Sequence, residues 1–560
     1  MYCIRKDIVR ILVLLFFLLS ANIYTLFFVD SLFDTAVDRL WYIAVMAIGY
    51  IVGLLLLKPR TFFIVAGVAQ MLVLPIEVSS LYLNGAPVSA PFMHWIIGTN
   101  CGEAGELLQS VWWLVLVTVI IWCVYGWLVA GIRQEKIVEG RGKRILWGVA
   151  GLMMTAALLI QFIQLNSVYT APNKRVYARI YAWSFLTRAG SVFPYDIYLQ
   201  TFRAFKHRQE IDGISSLSDY QFGISPRIDA DSTLCVLVIG EAARYQNFSL
   251  NGEYARETNP LLAQQSNLIL YTQAYSEANA TDMSVPLMIT RATADDPGRA
   301  YQEKTVSGAF QEAGYKAAWL SAESAPIRYL QHVLPTLDSV WIAPDEVLDE
   351  ALLEPFEGVI RDNTTSSLII LHTKGSHLNY QDRYPESFAL FEPCLKKGAT
   401  TNSFDKERMT NTYDNSIVYT DFVLHSLIQI LDRTHRCACM LYMPDHGENL
   451  CDDARKLWVH GSYDGTEWEY HVPLLVWYSD AFQQKYPAKV AALNANKDKQ
   501  VTSQVLFYTL CDVAGLDEVV DPRHSLLSDS LEEESSLRII NGKGELIDAA
   551  FGKNSYDGER

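Results

Sequence analysis

The 560-residue chain lacks the features that mark several classes of protein. It has no basic cluster interleaved with aromatic residues, and its acidic second part would be repelled by phosphate backbones, so we expect no nucleic-acid partner. Its nine cysteines show no paired spacing of the metal-binding kind and are too sparse to assign a disulfide. We expect buried free thiols at Cys235, Cys437 and Cys439.

Charge divides the chain into two parts. Residues 1–230 are very apolar and carry 19 Lys and Arg against 14 Asp and Glu, whereas residues 231–560 carry 27 against 48. We predict a transmembrane domain over residues 1–165, a bridge of interfacial helices over 166–230 and a catalytic domain over 231–560. Within the bridge, Tyr177–Lys206 is rich in Tyr, Phe, Trp and Arg, which favour membrane interfaces.

Five apolar stretches predict membrane-spanning helices. The first is followed by further spans and lacks a small-residue cleavage site, so we do not expect a signal peptide. Lys and Arg lie before the first span, between the second and third, and between the fourth and fifth, whereas the opposite loops contain only Arg39. The positive-inside rule therefore puts the N-terminus in the cytoplasm and residues after about 165 in the periplasm of a Gram-negative cell. The spans are Ile11–Val29, Leu40–Leu57, Thr61–Ile76, Val111–Val129 and Ile145–Ile163.

The loop over residues 84–110 has no Lys or Arg and contains Glu103 and Glu106. It has the pattern of an amphipathic segment on the outer membrane face. Two interpretations stay open: a connector, or a pocket whose acidic and amide side chains bind a cationic lipid headgroup.

Two predicted strands end in acidic residues. Ala438–Met443 leads to Asp445 and His446, and residues 232–241 end in Glu241. Because parallel strands end at the same edge of a sheet, the two carboxylates can share one ion. A single acidic residue there is usually a turn residue or a helix cap. Two of them with an adjoining histidine predict a metal site with oxygen and nitrogen ligands, which suits zinc.

A candidate nucleophile lies in the segment 279–288, which offers Thr281 and Ser284. The spacing approaches a sulfatase signature, in which Cys or Ser is followed two residues later by Pro and two later again by Arg. Met288 occupies the last place, so that signature fails. A threonine hydroxyl becomes a nucleophile when a metal lowers its pKa, which makes Thr281 the candidate. A helix N-cap is the compatible structural alternative.

Three histidines, His377, His460 and His471, lie after strand ends or in loops near the predicted sheet edge. A single histidine is more often structural than functional. Together they could stabilise phosphoryl oxygens, protonate a leaving alkoxide or hold a second metal. We expect a structural role for His372.

In combination these features resemble the phosphoethanolamine transferases of Gram-negative inner membranes. The resemblance runs nearly end to end and includes the five spans. Its motifs are Thr99–Glu103, Val192–Tyr195, Val238–Arg244, Asn251–Pro260, Thr281 with Ser284–Pro286, Gly375–His377, Tyr413–Asn415, Asp445–Glu448 and His460–Gly461.

This resemblance implies a five-span α-helical membrane bundle joined to a periplasmic α/β domain of alkaline phosphatase/sulfatase-like fold. It implies one or two zinc ions. Thr281 would take phosphoethanolamine from phosphatidylethanolamine, release diacylglycerol and pass the group to lipopolysaccharide. The implied zinc ligands are Glu241, Thr281, Asp445 and His446, the implied catalytic residues are Thr281, His377 and His460, and the implied substrate-binding residues are Glu103, His377, His460 and His471.

The acceptor stays open among Kdo, lipid A phosphate and a core sugar. The stretch Leu368–Pro385 is most similar to the Kdo-modifying branch, and lipid A enzymes, including those of polymyxin resistance, are close relatives. Three departures weigh against a lipid A acceptor: Glu277 and Leu287 stand where relatives often have a disulfide, the usual partner of Cys394 is absent from Lys396–Ser403, and Ser321–Arg328 lacks an Asn/Lys cluster.

Three alternatives remain at this stage. A phosphoglycerol or other phosphoryl-group transferase acting on a periplasmic glycan would share these motifs. A periplasmic phosphatase or sulfatase would not need membrane spans, and the missing arginine argues against a sulfatase. A non-catalytic membrane sensor would not need an intact ligand set.

Overall fold

The computed structural model divides into two compact units, residues 1–97 with 107–206, and residues 98–106 with 207–560. It describes residues 2–29, 36–84, 87–98, 101–132, 140–168, 190, 192–212, 219–227, 232–324, 327–344, 347–363, 365–397, 405–549 and 551. Residues 177–189 and 191 of the Tyr177–Lys206 stretch, and the pair Thr99 and Asn100, lie outside these residues, so their predicted roles stay predictions.

The first unit is built from apolar helices. Their outward faces carry large apolar side chains, such as Leu12, Phe16, Trp127 and Leu152, each at least 60% exposed. An exposed apolar surface of this extent is typical of a lipid-facing bundle. The helices are α1 (Tyr2–Phe28), α2 (Ala36–Leu56), α3 (Pro59–Met71), α4 (Leu74–Asn84), α5 (Ala90–Gly98), α6 (Cys101–Ala130), α7 (Gly140–Val168) and α8 (Tyr195–Asp212).

By length and composition, three described segments can cross a membrane: Ile8–Phe28, Ala36–Leu56 and Gly140–Ile163. The bent pair α3 and α4 counts as a fourth candidate. The predicted span Val111–Val129 falls within α6, of which the described apolar part is Val115–Ala130. Three or four spans are therefore supported, and five stay a prediction.

The predicted span Thr61–Ile76 is broken rather than continuous. Helix α3 ends at Met71, α4 begins at Leu74, and their axes differ by 49°. Pro75 accounts for the break, because a proline ring clashes with the carbonyl four residues earlier, here that of Met71, and supplies no N–H.

A seven-stranded sheet forms the middle of the second unit, in the order β2-β10-β7-β1-β6-β4-β5. Strands β7, β1, β6, β4 and β5 are parallel, and β10 is antiparallel to both β7 and β2. Strands β1, β6 and β7 are buried along their whole length, which agrees with their continuous apolar sequences. The strands are β1 (Leu234–Gly240), β2 (Leu268–Tyr271), β3 (Ala274–Tyr275), β4 (Lys316–Ser321), β5 (Ser339–Ile342), β6 (Ser367–His372), β7 (Ala438–Pro444), β8 (Asn449–Leu450), β9 (Trp458–Val459), β10 (Leu474–Tyr478), β11 (Val501–Thr502), β12 (Leu537–Ile540) and β13 (Leu546–Ala549).

The short strands outside this sheet form three pairs, β3 with β11, β8 with β9, and β12 with β13. Cys235, Cys437 and Cys439 are confirmed as buried thiols of the core that form no disulfide. The helices of this unit are α9 (Thr281–Ile289), α10 (Val306–Glu312), α11 (Leu330–Val333), α12 (Leu353–Asp362), α13 (Lys406–Arg433), α14 (Glu467–Tyr470), α15 (Asp480–Lys485), α16 (Pro487–Asn496) and α17 (Val505–Val513).

Glu277 is a buried carboxylate in the segment between β3 and α9. It accepts hydrogen bonds from the Ala294 backbone N–H (2.9 Å) and the Ser503 hydroxyl (3.0 Å). Burial nevertheless raises the pKa of Glu277 from 4.5 to about 7. A hydrogen-bonded carboxyl group at position 277 therefore joins three segments of the chain.

We expect Glu277→Gln to stabilise the protein more at high pH than at low pH. A pKa that folding raises favours the protonated form, so its contribution to the free energy of unfolding is complete below pH 4.5 and is lost as the pH rises to about 7. Gln keeps an acceptor for Ala294 and does not ionise. Thermal unfolding at about pH 5 and about pH 8 measures the effect, with the exposed Glu253→Gln as control. A pH-independent difference for Glu277→Gln would contradict this assignment.

Candidate metal centre and active site

The register of two neighbouring strands brings Glu241 and Asp445 together. Strands β1 and β7 pair in parallel with Gly240 opposite Pro444, so the next residue of each strand lies at the same sheet edge. The Asp445 backbone N–H donates to the Gly240 carbonyl (3.0 Å), which continues the ladder by one step. Two carboxylates that are distant in sequence therefore meet in the buried interior, at 2% and 0% exposure.

His446 and Thr281 complete a group of four side chains at this edge. His446 Nε2 lies 3.4 Å from Glu241 Oε1 and 3.4 Å from Asp445 Oδ2. The Thr281 hydroxyl donates to Glu241 Oε2 (3.2 Å) and lies 3.4 Å from His446 Nε2. Among the described residues, Glu241, Asp445 and His446 form the one His/Cys/Asp/Glu group with the geometry to hold a metal ion.

The hydrogen bonds around these ligands leave the correct atoms free for a cation. His446 Nδ1 lies 2.8 Å from the Gly447 carbonyl, which can only accept, so Nδ1 carries the proton and Nε2 presents its lone pair to the carboxylates. Asp445 Oδ1 accepts from the backbone N–H groups of Ala242 and His446. Within the described part of the chain, Glu241 Oε1 and Asp445 Oδ2 are buried without a hydrogen-bond donor.

The pKa shifts of Glu241 and His446 also indicate that this group is suited to bind a cation. Burial, followed by the neighbouring Asp445 carboxylate, raises the pKa of Glu241 well above its ordinary value. Burial lowers the pKa of His446, which favours the neutral, metal-binding form of its ring. Two buried carboxylates and a neutral imidazole are a donor set that fits zinc.

Thr281 is the first residue of helix α9, and Ala280 is its N-cap. The sequence alternative that made Thr281 the N-cap is therefore wrong by one residue, because Ala280 keeps an extended backbone (φ −156°) and Thr281 is already helical. The Thr281 hydroxyl points to Glu241 and His446, whereas the Ser284 hydroxyl donates back to the Ala280 carbonyl (2.8 Å). This difference favours Thr281 over Ser284 as the nucleophile.

His377 lies in the loop after β6. Backbone hydrogen bonds join this loop to the sheet edge that carries Glu241. The Ser376 N–H donates to the Glu241 carbonyl (2.9 Å), and Asp349 accepts from the N–H groups of Lys374 (2.8 Å) and Gly375 (3.0 Å). Burial, followed by the Arg383 charge, lowers the pKa of His377 well below its ordinary value.

His460 packs against His446, with ring centroids 3.9 Å apart and ring planes inclined by 37°. Its Nδ1 lies 3.3 Å from Glu448 Oε2, and Glu448 is fully buried. Glu448 belongs to the sequence motif Asp445–Glu448, but the sequence predicted no role for it. Its position two residues after His446 was the available signal.

The surroundings of His471 differ from those of the other predicted site histidines. Its ring lies between Tyr245 (4.2 Å) and Tyr275 (4.7 Å), and its Nε2 donates to the Thr272 carbonyl (2.9 Å). These contacts are those of a packing residue, so substrate binding by His471 stays a sequence prediction. Glu103 lies in α6, and its side chain is outside what the structure describes.

Residues 233–516 match the family described as Sulfatase. A relative named Kdo(2)-lipid A phosphoethanolamine 7''-transferase, from Escherichia coli K12, is 31% identical over 74% of this chain and 76% of its own length. The chain belongs to the sulfatase family, in its phosphoethanolamine transferase group. Met288 still stands where the sulfatase signature has arginine, so family membership does not imply sulfatase activity.

Some other relatives match a smaller part of this chain. Phosphoethanolamine transferase EptA of Escherichia coli O157:H7 is 32% identical over 51% of this chain and 53% of its own length. The chain thus spans about half the length of the first relatives it matches.

Solved structures of the group support the same architecture. The C-terminal periplasmic domain of EcEptC from Escherichia coli, in complex with Zn, is 26% identical, with a TM-score of 0.51 over 59% of this chain and 94% of that domain. The integral membrane lipooligosaccharide phosphoethanolamine transferase A from Neisseria meningitidis has a TM-score of 0.63 at 21% identity, over 84% and 90%. This phosphoethanolamine transferase family member is therefore a membrane-anchored protein with a sulfatase-like α/β domain of the periplasmic type.

We expect Gly375→Ala to disrupt the metal centre. Gly375 has φ +45°, and a Cβ there would lie 2.7 Å from the Glu241 carbonyl oxygen and 2.9 Å from its nitrogen. Because both neighbours are backbone atoms, the Glu241 loop must move. Metal content of the purified variant should fall well below that of the wild type. Gly515→Ala is a matched control, since Gly515 also has positive φ (+68°) but open space around it. Full metal content in Gly375→Ala would contradict this expectation.

Proposed function

We propose that this protein transfers phosphoethanolamine from phosphatidylethanolamine to lipopolysaccharide through a covalent intermediate on Thr281. The observation that carries the proposal is the Thr281 hydroxyl, 3.2 Å from Glu241 Oε2 and 3.4 Å from His446 Nε2 at the start of a helix. Relatives whose names state phosphoethanolamine transfer support the choice of group.

Glu241, Asp445 and His446 would hold zinc, with Thr281 beside them. A bound zinc ion would neutralise the two carboxylates, lower the pKa of the Thr281 hydroxyl and offset charge on the phosphoryl oxygens. The zinc complex of a related periplasmic domain supports the choice of metal.

In the first half-reaction, the Thr281 hydroxyl proton moves to Glu241 Oε2, which already accepts its hydrogen bond. The Thr281 Oγ–phosphorus bond forms while the bond from phosphorus to the diacylglycerol oxygen breaks. The leaving oxygen takes up one proton, which the hydrogen-bonded pair His460 and Glu448 would deliver. The products are diacylglycerol and Thr281 esterified with phosphoethanolamine.

The second half-reaction reverses these roles. An acceptor oxygen on Kdo, a lipid A phosphate or a core sugar loses its proton to the His460–Glu448 pair and bonds to phosphorus. The Thr281 Oγ–phosphorus bond breaks, and Thr281 Oγ regains its proton from Glu241. His377 contacts the phosphoryl oxygens in both halves.

The membrane part fits a reaction between two lipids. We propose five spans over residues 1–165, interfacial helices over 166–230 and the catalytic domain over 231–560, placed in the inner membrane with the active site in the periplasm. Glu103 on the outer loop would contact the donor headgroup. Anchoring both substrates and the enzyme to one membrane raises their effective concentration.

Thr281→Ala should abolish transfer while zinc stays largely bound, because three ligands remain. Incubation of the wild type with phosphatidylethanolamine labelled in its headgroup should place the label on Thr281, and the variant should acquire none. Ser284→Ala is the matched control, since it removes a hydroxyl three residues away that bonds to the Ala280 carbonyl.

The same assay tests the donor. If the label reaches the protein only from phosphatidylglycerol, the protein transfers phosphoglycerol instead. Fast hydrolysis of a soluble phosphate ester without any acceptor would indicate a phosphatase. Transfer by Thr281→Ala would refute the nucleophile assignment.

Lipopolysaccharide from cells with and without the active protein should differ by one phosphoethanolamine group. Mass spectrometry of the intact molecule and of its lipid A and core fragments assigns the acceptor. Lipopolysaccharide of unchanged mass, with a wild-type protein that labels on Thr281, would exclude this acceptor class.

A further inference from the structure

The turn that carries Glu241 has an unfavourable backbone. Ala242 has φ +53°, in the left-handed region that residues with a Cβ rarely adopt. Ala242 and Ala243 are fully buried, so water cannot satisfy the polar groups of this turn. Neighbouring side chains must therefore hold the turn in place.

One hydroxyl group holds both ends of this turn. Tyr413, on helix α13, donates to the Ala242 carbonyl (2.7 Å) and accepts from the Arg244 backbone N–H (3.0 Å). The Tyr413 side chain is fully buried. With both bonds made to backbone, the hydroxyl is not placed to exchange protons with a substrate.

Arg244 extends this connection to the second ligand-bearing loop. Its Nη1 donates to the Glu448 carbonyl (3.3 Å) and to Asp452 Oδ2 (2.7 Å). Glu448 lies two residues after His446. The turn fixed by Tyr413 is thus joined through Arg244 to the loop that presents Asp445 and His446.

Helix α13 reaches the third loop one turn further on. The Ser416 hydroxyl donates to Ser376 Oγ (2.8 Å), and the Ser376 N–H donates to the Glu241 carbonyl (2.9 Å). One buried helix therefore contacts the loops that carry Glu241 and His377.

We infer that Tyr413 is a positioning residue for the metal centre: its hydroxyl fixes the Glu241 turn and, through Arg244, the distance between the two carboxylate ligands. The inference rests on the proposed metal site and is independent of the donor and the acceptor. It assigns a function to the Tyr413–Asn415 motif, whose side chains do not reach the reacting atoms.

The test is Tyr413→Phe in the full-length protein purified in detergent. Removing the hydroxyl should weaken zinc binding about 10- to 100-fold, as loss of a group that orients metal ligands commonly does. The zinc dissociation constant is measured by competition with a chromophoric chelator. Transfer should fall steeply at limiting zinc and recover largely at saturating zinc.

Tyr380→Phe is the matched control. The Tyr380 ring packs edge-on against Tyr413 at 5.2 Å, and its buried hydroxyl has no hydrogen-bond partner among the described residues. The control makes the same chemical change in the same place, and its zinc affinity should equal that of the wild type.

Unfolding of the zinc-free proteins separates positioning from general stability. A lower melting temperature in Tyr413→Phe with an unchanged zinc dissociation constant of the folded protein would overturn the inference. An equal loss of zinc affinity in Tyr380→Phe would also overturn it. If the wild type itself bound no zinc, the proposed metal site would fail, which is a distinct result.

Discussion

The repulsion between two buried carboxylates is the constraint on which the catalytic unit depends. Glu241 and Asp445 follow adjacent parallel strands at one edge of the sheet, and within the described part of the chain no cationic side chain bonds to Glu241 Oε1 or Asp445 Oδ2. Burying like charges together costs free energy unless a cation or a proton compensates. The neutral His446 ring and the Thr281 hydroxyl are turned toward the same point, so this group of side chains is suited to bind a metal cation as that compensation.

Around the two carboxylates, buried side chains form hydrogen bonds to backbone groups of segments that are distant in the sequence. Asp349 holds the His377 loop, Tyr413 holds the Glu241 turn, and Glu277 joins the segment before the nucleophile to Ala294 and Ser503. Each is buried, so its bonds are not exchanged for bonds to water. Such bonds restrict ligand positions more tightly than apolar packing, because they specify direction as well as distance.

The helices of the membrane unit meet a different physical requirement. Its helices satisfy their own backbone groups and expose apolar side chains, as a lipid environment requires. The break between α3 and α4, just before Pro75, shows how one residue interrupts a helix that hydropathy alone predicts to be continuous. The proposed reaction between two lipids would account for the joining of such a unit to an α/β domain.

The sequence by itself determined the chemical types at the site and the strands that carry them. Continuous apolar runs ending in Glu241 and Asp445 predicted buried parallel strands, since only such strands have no polar face. Only the tertiary structure decided which groups meet: that Ala280 rather than Thr281 caps the helix, that Ser284 turns away, that His471 packs between two tyrosines and that Tyr413 holds the Glu241 turn. These outcomes depend on register and on contacts between segments far apart in the chain, and such contacts have no local periodicity from which a single sequence could predict them.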